Sequence, residues 1–193
     1  MLNLIGWNVN GLTRRRDEIG DLIQKYQPDI LLLQETFLKP NSDALTIHGY
    51  TTYRTDRTDA PRGGVAILIN EGIEHEQVHL DVGKVELTTV QIHTKRRAIN
   101  VGSIYLPTKR TRKKDLWKIK QMAPNMILAG DLNAKNEDWG STKTDHLGKW
   151  IEQLCLEENI SIHAPARTTR IGTEKMAPTQ QSTMLSLQNH VVI

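Results

Sequence analysis

A carboxylate and a carboxamide stand two residues apart in the segment Gly130-Asp131-Leu132-Asn133. The segment directly follows the apolar run 125–129, which predicts a buried strand. Just past a strand end, both side chains can point into one cleft. There the carboxylate of Asp131 can hold a metal ion or activate water, and the amide of Asn133 can bind a phosphate oxygen or orient that water. Because Asp-x-Asn is also a common turn, the spacing alone is equally compatible with a purely structural role.

Polar side chains also follow three other apolar runs, which begin near residues 4, 28 and 102. Each run has the length and composition of a strand. The predicted strand ends offer Asn8, Glu35 and Tyr105, in addition to the pair Asp131 and Asn133. Hydrolytic sites are often built from polar groups gathered at one rim of a sheet. The sequence therefore predicts one site to which several strand ends contribute.

The remaining pattern predicts strands that alternate with helices. Hairpin strands and intervening helices together favour an α+β layered fold. The predicted strands cover 2–9, the run into Glu35, 62–69, 85–93, 98–105 and the run into Asp131; the predicted helices cover a segment with Ile19, Leu22, Ile23 and Tyr26 on one face, 111–122, and 146–158; residues 36–50 and 164–183 are predicted loops.

Composition indicates one globular domain over residues 1–193, with 38% hydrophobic and 24% charged residues. The net charge of +3 is a mild basic bias that is compatible with an anionic partner. No apolar run approaches the roughly 18 residues of a membrane span. The start of the chain also lacks the pattern of a secretory signal, so we expect an intracellular protein.

The single cysteine, Cys155, excludes an internal disulfide and suits a reducing compartment. Leu147, Ile151 and Leu154 share its helical spacing. Free cysteine is usually buried, so we expect Cys155 to lie in the core.

In this order, the segments around Asn8, Glu35, Tyr105 and Asp131 resemble the endonuclease/exonuclease/phosphatase superfamily, which includes pancreatic deoxyribonuclease and the apurinic/apyrimidinic endonucleases. The resemblance covers roughly residues 1–165 and is closer to the endonuclease domain of jockey-like non-LTR retrotransposons. Three stretches carry this narrower resemblance: Tyr53-Arg54-Thr55-Asp56-Arg57, Arg62–Ile69 and Gly130–Ser141.

The resemblance implies two packed, mostly antiparallel β-sheets flanked by helices, with the site at one end. The shortened tail of this chain would leave the last strands incomplete. It also implies hydrolysis of a DNA phosphodiester with Mg²⁺, or alternatively Mn²⁺. Glu35 and Asn8 would then hold the metal. Asp131, Asn133, Tyr105 and His190 would be catalytic, and Asn10, Arg14 and Asn189 would contact the substrate.

The end of the chain departs from the family pattern. Asn189 stands where the family has aspartate, Ser186 stands where an earlier strand has another, and most of the connector between them is missing. Three hypotheses therefore remain: an endonuclease that nicks DNA for the insertion of a mobile element, a catalytically impaired relic that still binds DNA, and a small-molecule phosphatase. The retrotransposon-like stretches disfavour the third.

The expected partners are DNA and, if this chain is an excised domain, the reverse transcriptase of the parent element. We expect a monomer, and a nuclear location only by analogy with the family. Two basic runs, Arg14–Arg16 and Lys109–Lys114, are either solvated faces or contacts to DNA phosphates. Trp139 is expected to pack against the Asp131 loop rather than to stack on a base.

Overall fold

A computed structural model describes residues 2–43, 45–95, 97–107, 113–122 and 126–163. Within these ranges the chain alternates strands and helices much as its sequence pattern predicts. The elements are β1 (Leu4–Asn8), α1 (Arg16–Tyr26), β2 (Ile30–Gln34), β3 (Tyr50–Thr55), β4 (Val65–Asn70), β5 (His75–Val78), β6 (Glu86–His93), β7 (Ala98–Tyr105), α2 (Lys113–Met122), β8 (Met126–Asp131) and α3 (His146–Glu157), with short 3-10 turns at Leu12–Arg15 and Glu137–Trp139.

The strands form two four-stranded sheets with the orders β1-β2-β4-β3 and β5-β6-β7-β8. Most neighbouring strands are antiparallel, as predicted, but β1 with β2 and β7 with β8 are parallel. A parallel pair needs a crossover connection, and α1 and α2 supply the two crossovers. Each parallel pair consequently ends at a single edge of its sheet.

The two sheets pack face to face over an apolar core to which both contribute. Ile30 and Leu32 of β2 meet Val90 of β6 and Val101 of β7 there. The alternate residues of β2 point the other way and pack with α1, which explains why this strand is apolar throughout. Helices α2 and α3 cover the outer face of the second sheet. The result is a four-layer α+β sandwich, and the predicted fold class is confirmed.

Two strands, β3 and β5, were not expected from the sequence pattern. Both lie at sheet edges, and their side chains are mostly half-buried and polar. Edge strands of this kind show little alternation between apolar and polar residues, so the pattern does not reveal them. The strand predicted from residue 62 begins only at Val65, because residues 62–64 all have φ between 64° and 87°.

The expectation for Cys155 is confirmed, since the residue is buried in the core beneath α2 and α3. Burial raises the pKa of its thiol to about 11, so the thiol is protonated at neutral pH. None of the helices in the described ranges is long and apolar enough to cross a membrane.

We predict that Gly130→Ala destabilises the fold, because a Cβ atom at this position would lie 1.8 Å from the carbonyl oxygen of Ile104. The free energy of unfolding should fall by about 1–3 kcal/mol, as for other overpacked sites. The matched variant Gly20→Ala has no heavy atom within 4 Å of its new Cβ and should instead gain up to about 1 kcal/mol in helix α1. Urea unfolding followed by circular dichroism measures both. Equal stability of Gly130→Ala and the parent would contradict the close approach of β7 and β8.

Candidate active site

The polar strand ends meet where the two parallel pairs terminate. In the first sheet Asn8 at the end of β1 lies beside Gln34 at the end of β2, and Glu35 follows directly. In the second sheet Tyr105 and Asp131 are paired at the ends of β7 and β8. The stacked sheets bring these two edges together. Residues far apart in the chain therefore share one site.

The side-chain amide of Asn8 joins the two sheets. Its Nδ2 group donates one hydrogen bond to Glu35 Oε1 at 3.1 Å and another to Asp131 Oδ2 at 3.0 Å. Its Oδ1 atom accepts from the backbone N–H of Asn10 at 3.2 Å. Asn8 and Asp131 are both buried. A single NH₂ group thus separates two carboxylates that would otherwise repel each other.

Asp131 and Asn133 form a turn and also belong to the site, so both interpretations of this motif hold. Asp131 Oδ1 accepts from the Asn133 N–H at 2.9 Å, and Asn133 Nδ2 donates to the Leu106 carbonyl at 2.9 Å. The backbone N–H of Leu106 in turn donates to the Asp131 carbonyl at 2.9 Å. These bonds fix Asn133 relative to both strands of the parallel pair.

The hydroxyl of Tyr105 is hydrogen-bonded within this group, to Glu35 and Asn133. Burial raises the pKa of Tyr105 to about 12, and the negative charges of Glu35 and Asp131 act in the same direction. A tyrosine with a raised pKa keeps its proton at neutral and mildly alkaline pH. The hydroxyl is therefore a hydrogen-bond donor, and in this structure it donates to the carboxylate of Glu35.

The backbone at the site adopts conformations that side chains usually avoid. Asn10, Glu35 and Asn133 have φ values of 46°, 53° and 49°. For a residue with a Cβ atom this left-handed region costs roughly 1–2 kcal/mol. The Glu35 turn is held by hydrogen bonds from the N–H groups of Gly11 and Leu12 to the carbonyls of Glu35 and Thr36, at 2.8 and 2.9 Å. Strain of this kind concentrates at functional sites.

Two charged residues beside Tyr105 were not singled out from the sequence as site residues. Arg57 lies 5.5 Å from the centroid of the Tyr105 ring and forms an ion pair with Glu86. In the sequence analysis, Arg57 was noted only as the last residue of the retrotransposon-like stretch Tyr53–Arg57. Glu86 could have been noticed in the sequence, because a charged residue at the start of the predicted apolar strand 85–93 needs a partner if it is buried.

The other predicted residues lie at the rim or beyond the described residues. Asn10 is exposed, and its carbonyl accepts from Arg14 Nη2 at 3.1 Å, which places Arg14 beside the Asn8 segment. Trp139 is half-buried and packs against the core cluster that includes Leu132 and Ala134 of the Asp131 loop, which agrees with the expected packing role. His190, Asn189, Ser186 and the basic residues Lys109, Arg110 and Arg112 lie outside the described residues.

The oxygen donors of the site suit a hard divalent cation. Mg²⁺ is typically bound through one or two carboxylates and keeps several of its waters. Glu35 and Asp131 supply two carboxylates, and the shared Asn8 amide holds them together. Among the described residues, no group of three or more His, Cys, Asp and Glu side chains is placed to hold a metal ion. Carboxylate and amide oxygens are a donor set that suits a partly hydrated divalent cation.

Residues 5–183 match the sequence pattern of the Endonuclease/Exonuclease/phosphatase family, and the chain belongs to that family. Two relatives are a probable RNA-directed DNA polymerase from transposon X-element of Drosophila melanogaster and the RNA-directed DNA polymerase from mobile element jockey of Drosophila funebris. They are 26% identical over 174 residues and 23% identical over 169 residues, covering 88% and 84% of this chain. The chain spans about a fifth of their length, 19% and 18% respectively.

Solved structures show the same fold. The endonuclease domain of TRAS1, a telomere-specific non-LTR retrotransposon, has a TM-score of 0.71 at 19% identity, covering 86% of this chain and 76% of that domain. The apurinic/apyrimidinic endonuclease from Leishmania major has a TM-score of 0.67 at 15% identity, covering 82% and 67%. The expected resemblance to retrotransposon endonucleases is confirmed.

We predict that Asn8→Asp destabilises the metal-free protein, because it removes the donor between Glu35 and Asp131 and adds a third negative charge. The free energy of unfolding in EDTA should fall by about 2 kcal/mol or more. Added Mg²⁺ should restore more stability to this variant than to the parent. Thermal unfolding with and without Mg²⁺ measures both effects.

The matched control is Asn100→Asp on β7. There Oδ1 accepts from Gln91 Nε2 at 3.1 Å, and an aspartate keeps that acceptor. The overall charge changes equally in the two variants. If both respond alike to EDTA and Mg²⁺, the amide of Asn8 does not separate two carboxylates.

Proposed function

We propose that this chain is a divalent-metal-dependent DNA endonuclease that hydrolyses one phosphodiester to nick target DNA for retrotransposon insertion. The observation that carries the proposal is the meeting of Asn8, Glu35, Tyr105, Asp131 and Asn133 at one edge of the sandwich. Membership of the family and the retrotransposon relatives support the substrate class.

Glu35 and Asn8 would hold Mg²⁺, with Mn²⁺ as the alternative, and Asp131 lies on the other side of the shared amide. Bound Mg²⁺ supplies positive charge that polarises the phosphate and stabilises the departing oxygen. Asp131 accepts the proton of the attacking water, because two hydrogen bonds fix the orientation of its carboxylate. Once Glu35 binds the metal ion, the Tyr105 hydroxyl would donate its hydrogen bond to a phosphate oxygen instead of to Glu35.

The amide of Asn133 has a positioning role in this proposal. Its Nδ2 group donates a hydrogen bond to the Leu106 carbonyl. The Asn133 side chain is also hydrogen-bonded to the Tyr105 hydroxyl. Asn133 therefore sets where the phosphate lies relative to Tyr105. Family resemblance adds His190 as a stabiliser of the pentacovalent phosphate and Asn189, Asn10 and Arg14 as substrate contacts.

The alternative function is a catalytically impaired relic that keeps the fold and binds DNA. Asn189 and Ser186 favour this alternative, because each replaces a carboxylate of the family pattern with a neutral side chain. Loss of a supporting carboxylate typically costs about 10–100-fold in activity or metal affinity. A parent chain that binds DNA but does not nick it would support the relic.

Partners and cellular location are proposed from the relatives that match this chain. The named relatives are RNA-directed DNA polymerases, so a reverse transcriptase in the same polypeptide is the proposed partner besides DNA. We propose that residues 1–193 act as one monomeric domain, intracellularly and, by family analogy, in the nucleus.

We predict Mg²⁺-dependent nicking of supercoiled plasmid that depends on the two carboxylates. Glu35→Gln and Asp131→Asn should each lower the nicking rate by roughly 100-fold or more, because both remove charge from the centre of the site. The matched controls are Glu157→Gln and Asp21→Asn, which alter exposed side chains on α3 and α1 and should nick like the parent. Full activity of either site variant would show that the assignment of the site is wrong.

We also predict that the Arg14–Arg16 cluster contacts DNA phosphates, since all three side chains are exposed and Arg14 hydrogen-bonds to Asn10 at the rim of the site. Replacing the three arginines with alanine should weaken DNA binding. The slope of log K against log salt should flatten by about 0.9 for each DNA phosphate that the variant no longer neutralises.

The control for this experiment is Lys95→Ala with Arg97→Ala, at the turn between β6 and β7. At about 3.3 Å per residue, the length of β7 puts this turn roughly 25 Å from Tyr105. These two exposed residues should leave the salt slope unchanged. An equal change of slope in both variants would exclude a specific role for the Arg14–Arg16 cluster.

A further inference from the structure

A buried ion pair lies beside Tyr105, outside the group of residues to which the mechanism assigns roles. Arg57 follows strand β3, and its Nε atom pairs with Oε1 of Glu86 at the start of β6. Each of the two side chains is only 11% exposed to solvent. The second oxygen, Glu86 Oε2, accepts from the backbone N–H of Gly64 at 2.6 Å. The carboxylate of Glu86 thus holds both the guanidinium and the loop before β4.

The register of the second sheet aims this ion pair at Tyr105. Glu86 and Tyr105 are direct partners across β6 and β7. Directly opposed residues in a sheet project from the same face, where their side chains are neighbours. The guanidinium of Arg57 occupies that face, 5.5 Å from the centroid of the Tyr105 ring. The cation is therefore held against the ring by the carboxylate opposite.

The same loop is tied to the Glu35 turn. The carbonyls of Gly63 and Gly64 accept from the N–H groups of Phe37 and Thr36, at 2.8 and 3.1 Å. A Cβ atom at Gly63 would lie 2.3 Å from the guanidinium carbon of Arg57. The guanidinium therefore lies directly against the backbone at Gly63, which limits the movement of Arg57 on that side.

From these contacts we propose that Arg57 is a positioning residue, which Glu86 holds against the Tyr105 ring so that the Tyr105 hydroxyl stays aimed at the scissile phosphate. The role in turnover rests on the proposed nuclease function. The packing of Arg57 against the ring does not.

Stability alone gives a weak reason for this ion pair. Desolvation of two buried charges can cancel their attraction, and an apolar pair often packs as well. Arg57 Nη2 is moreover buried without a hydrogen-bond partner among the described residues. A group that only fills space needs neither the charge nor the unsatisfied donor. A cation above an aromatic face, in contrast, restrains the ring through its quadrupole.

The test compares Arg57→Met, Arg57→Lys and the control Arg54→Met. Arg54 lies in the same segment, but it pairs with Asp56 at 3.3 Å and has no contact with Tyr105 among the described interactions. For nicking, Arg57→Met should lower kcat by about 10–100-fold with KM nearly unchanged. Arg57→Lys should recover most of that decrease, because an ammonium group also binds an aromatic face. Arg54→Met should behave like the parent.

A double-mutant cycle separates positioning from a general loss of structure. In a Tyr105→Phe background, which lacks the hydroxyl, Arg57→Met should cost far less in kcat than it does in the parent. The proposal would be overturned if Arg57→Met lowered kcat by the same factor in both backgrounds. It would also be overturned if Arg57→Lys were as slow as Arg57→Met. Thermal unfolding of each variant shows whether the fold is retained.

A second readout does not need activity. Tyrosine labelled with ¹³C at Cζ gives one NMR signal per tyrosine, and Tyr105→Phe assigns the signal of Tyr105. That signal should move in Arg57→Met and stay in place in Arg54→Met. A protein that never nicks DNA but shows this shift would refute the nuclease function and keep the packing of Arg57 on the ring. An unmoved signal in folded Arg57→Met would refute the positioning role whatever the activity.

Discussion

The shared amide of Asn8 is the interaction on which the site depends. Two carboxylates, Glu35 from the first sheet and Asp131 from the second, accept from the same NH₂ group at 3.1 and 3.0 Å. In a partly buried place, like charges at this spacing need either a donor or a cation between them. The amide supplies that donor. The same bonds also join the two sheets at their functional edge.

This interaction requires the ends of two sheets to coincide. Helices α1 and α2 act as crossovers, which makes β1 parallel to β2 and β7 parallel to β8. Parallel neighbours end on the same side, so each pair delivers its polar ends to one edge. Packing of the sheets through the Ile30 and Val101 core then superimposes the edges. The apolar core thereby determines the distance between carboxylates that no local interaction brings together.

The surroundings of the site show the energetic cost of holding it. Glu35 and Asn133 occupy left-handed backbone conformations, and Arg57 and Glu86 are charged groups withdrawn from water. Each feature opposes folding by itself. All of them adjoin strands whose side chains fill the core, such as Leu33 and Ile104, which are fully buried. Local strain persists because the surrounding packing overdetermines the backbone.

Local sequence patterns are enough to locate most helices and strands and the polar residues at their ends. Runs such as 30–33 and 126–129 are apolar because they are buried or half-buried, and burial is visible in composition. Long-range packing sets the parallel pairing, the polar edge strands β3 and β5, the left-handed Glu35 and the contact of Arg57 with Tyr105. These features depend on contacts between residues that are far apart in the chain. Asn8 and Asp131 are 123 residues apart in the chain, and their hydrogen bond depends on sheet packing, which no local pattern of residues encodes.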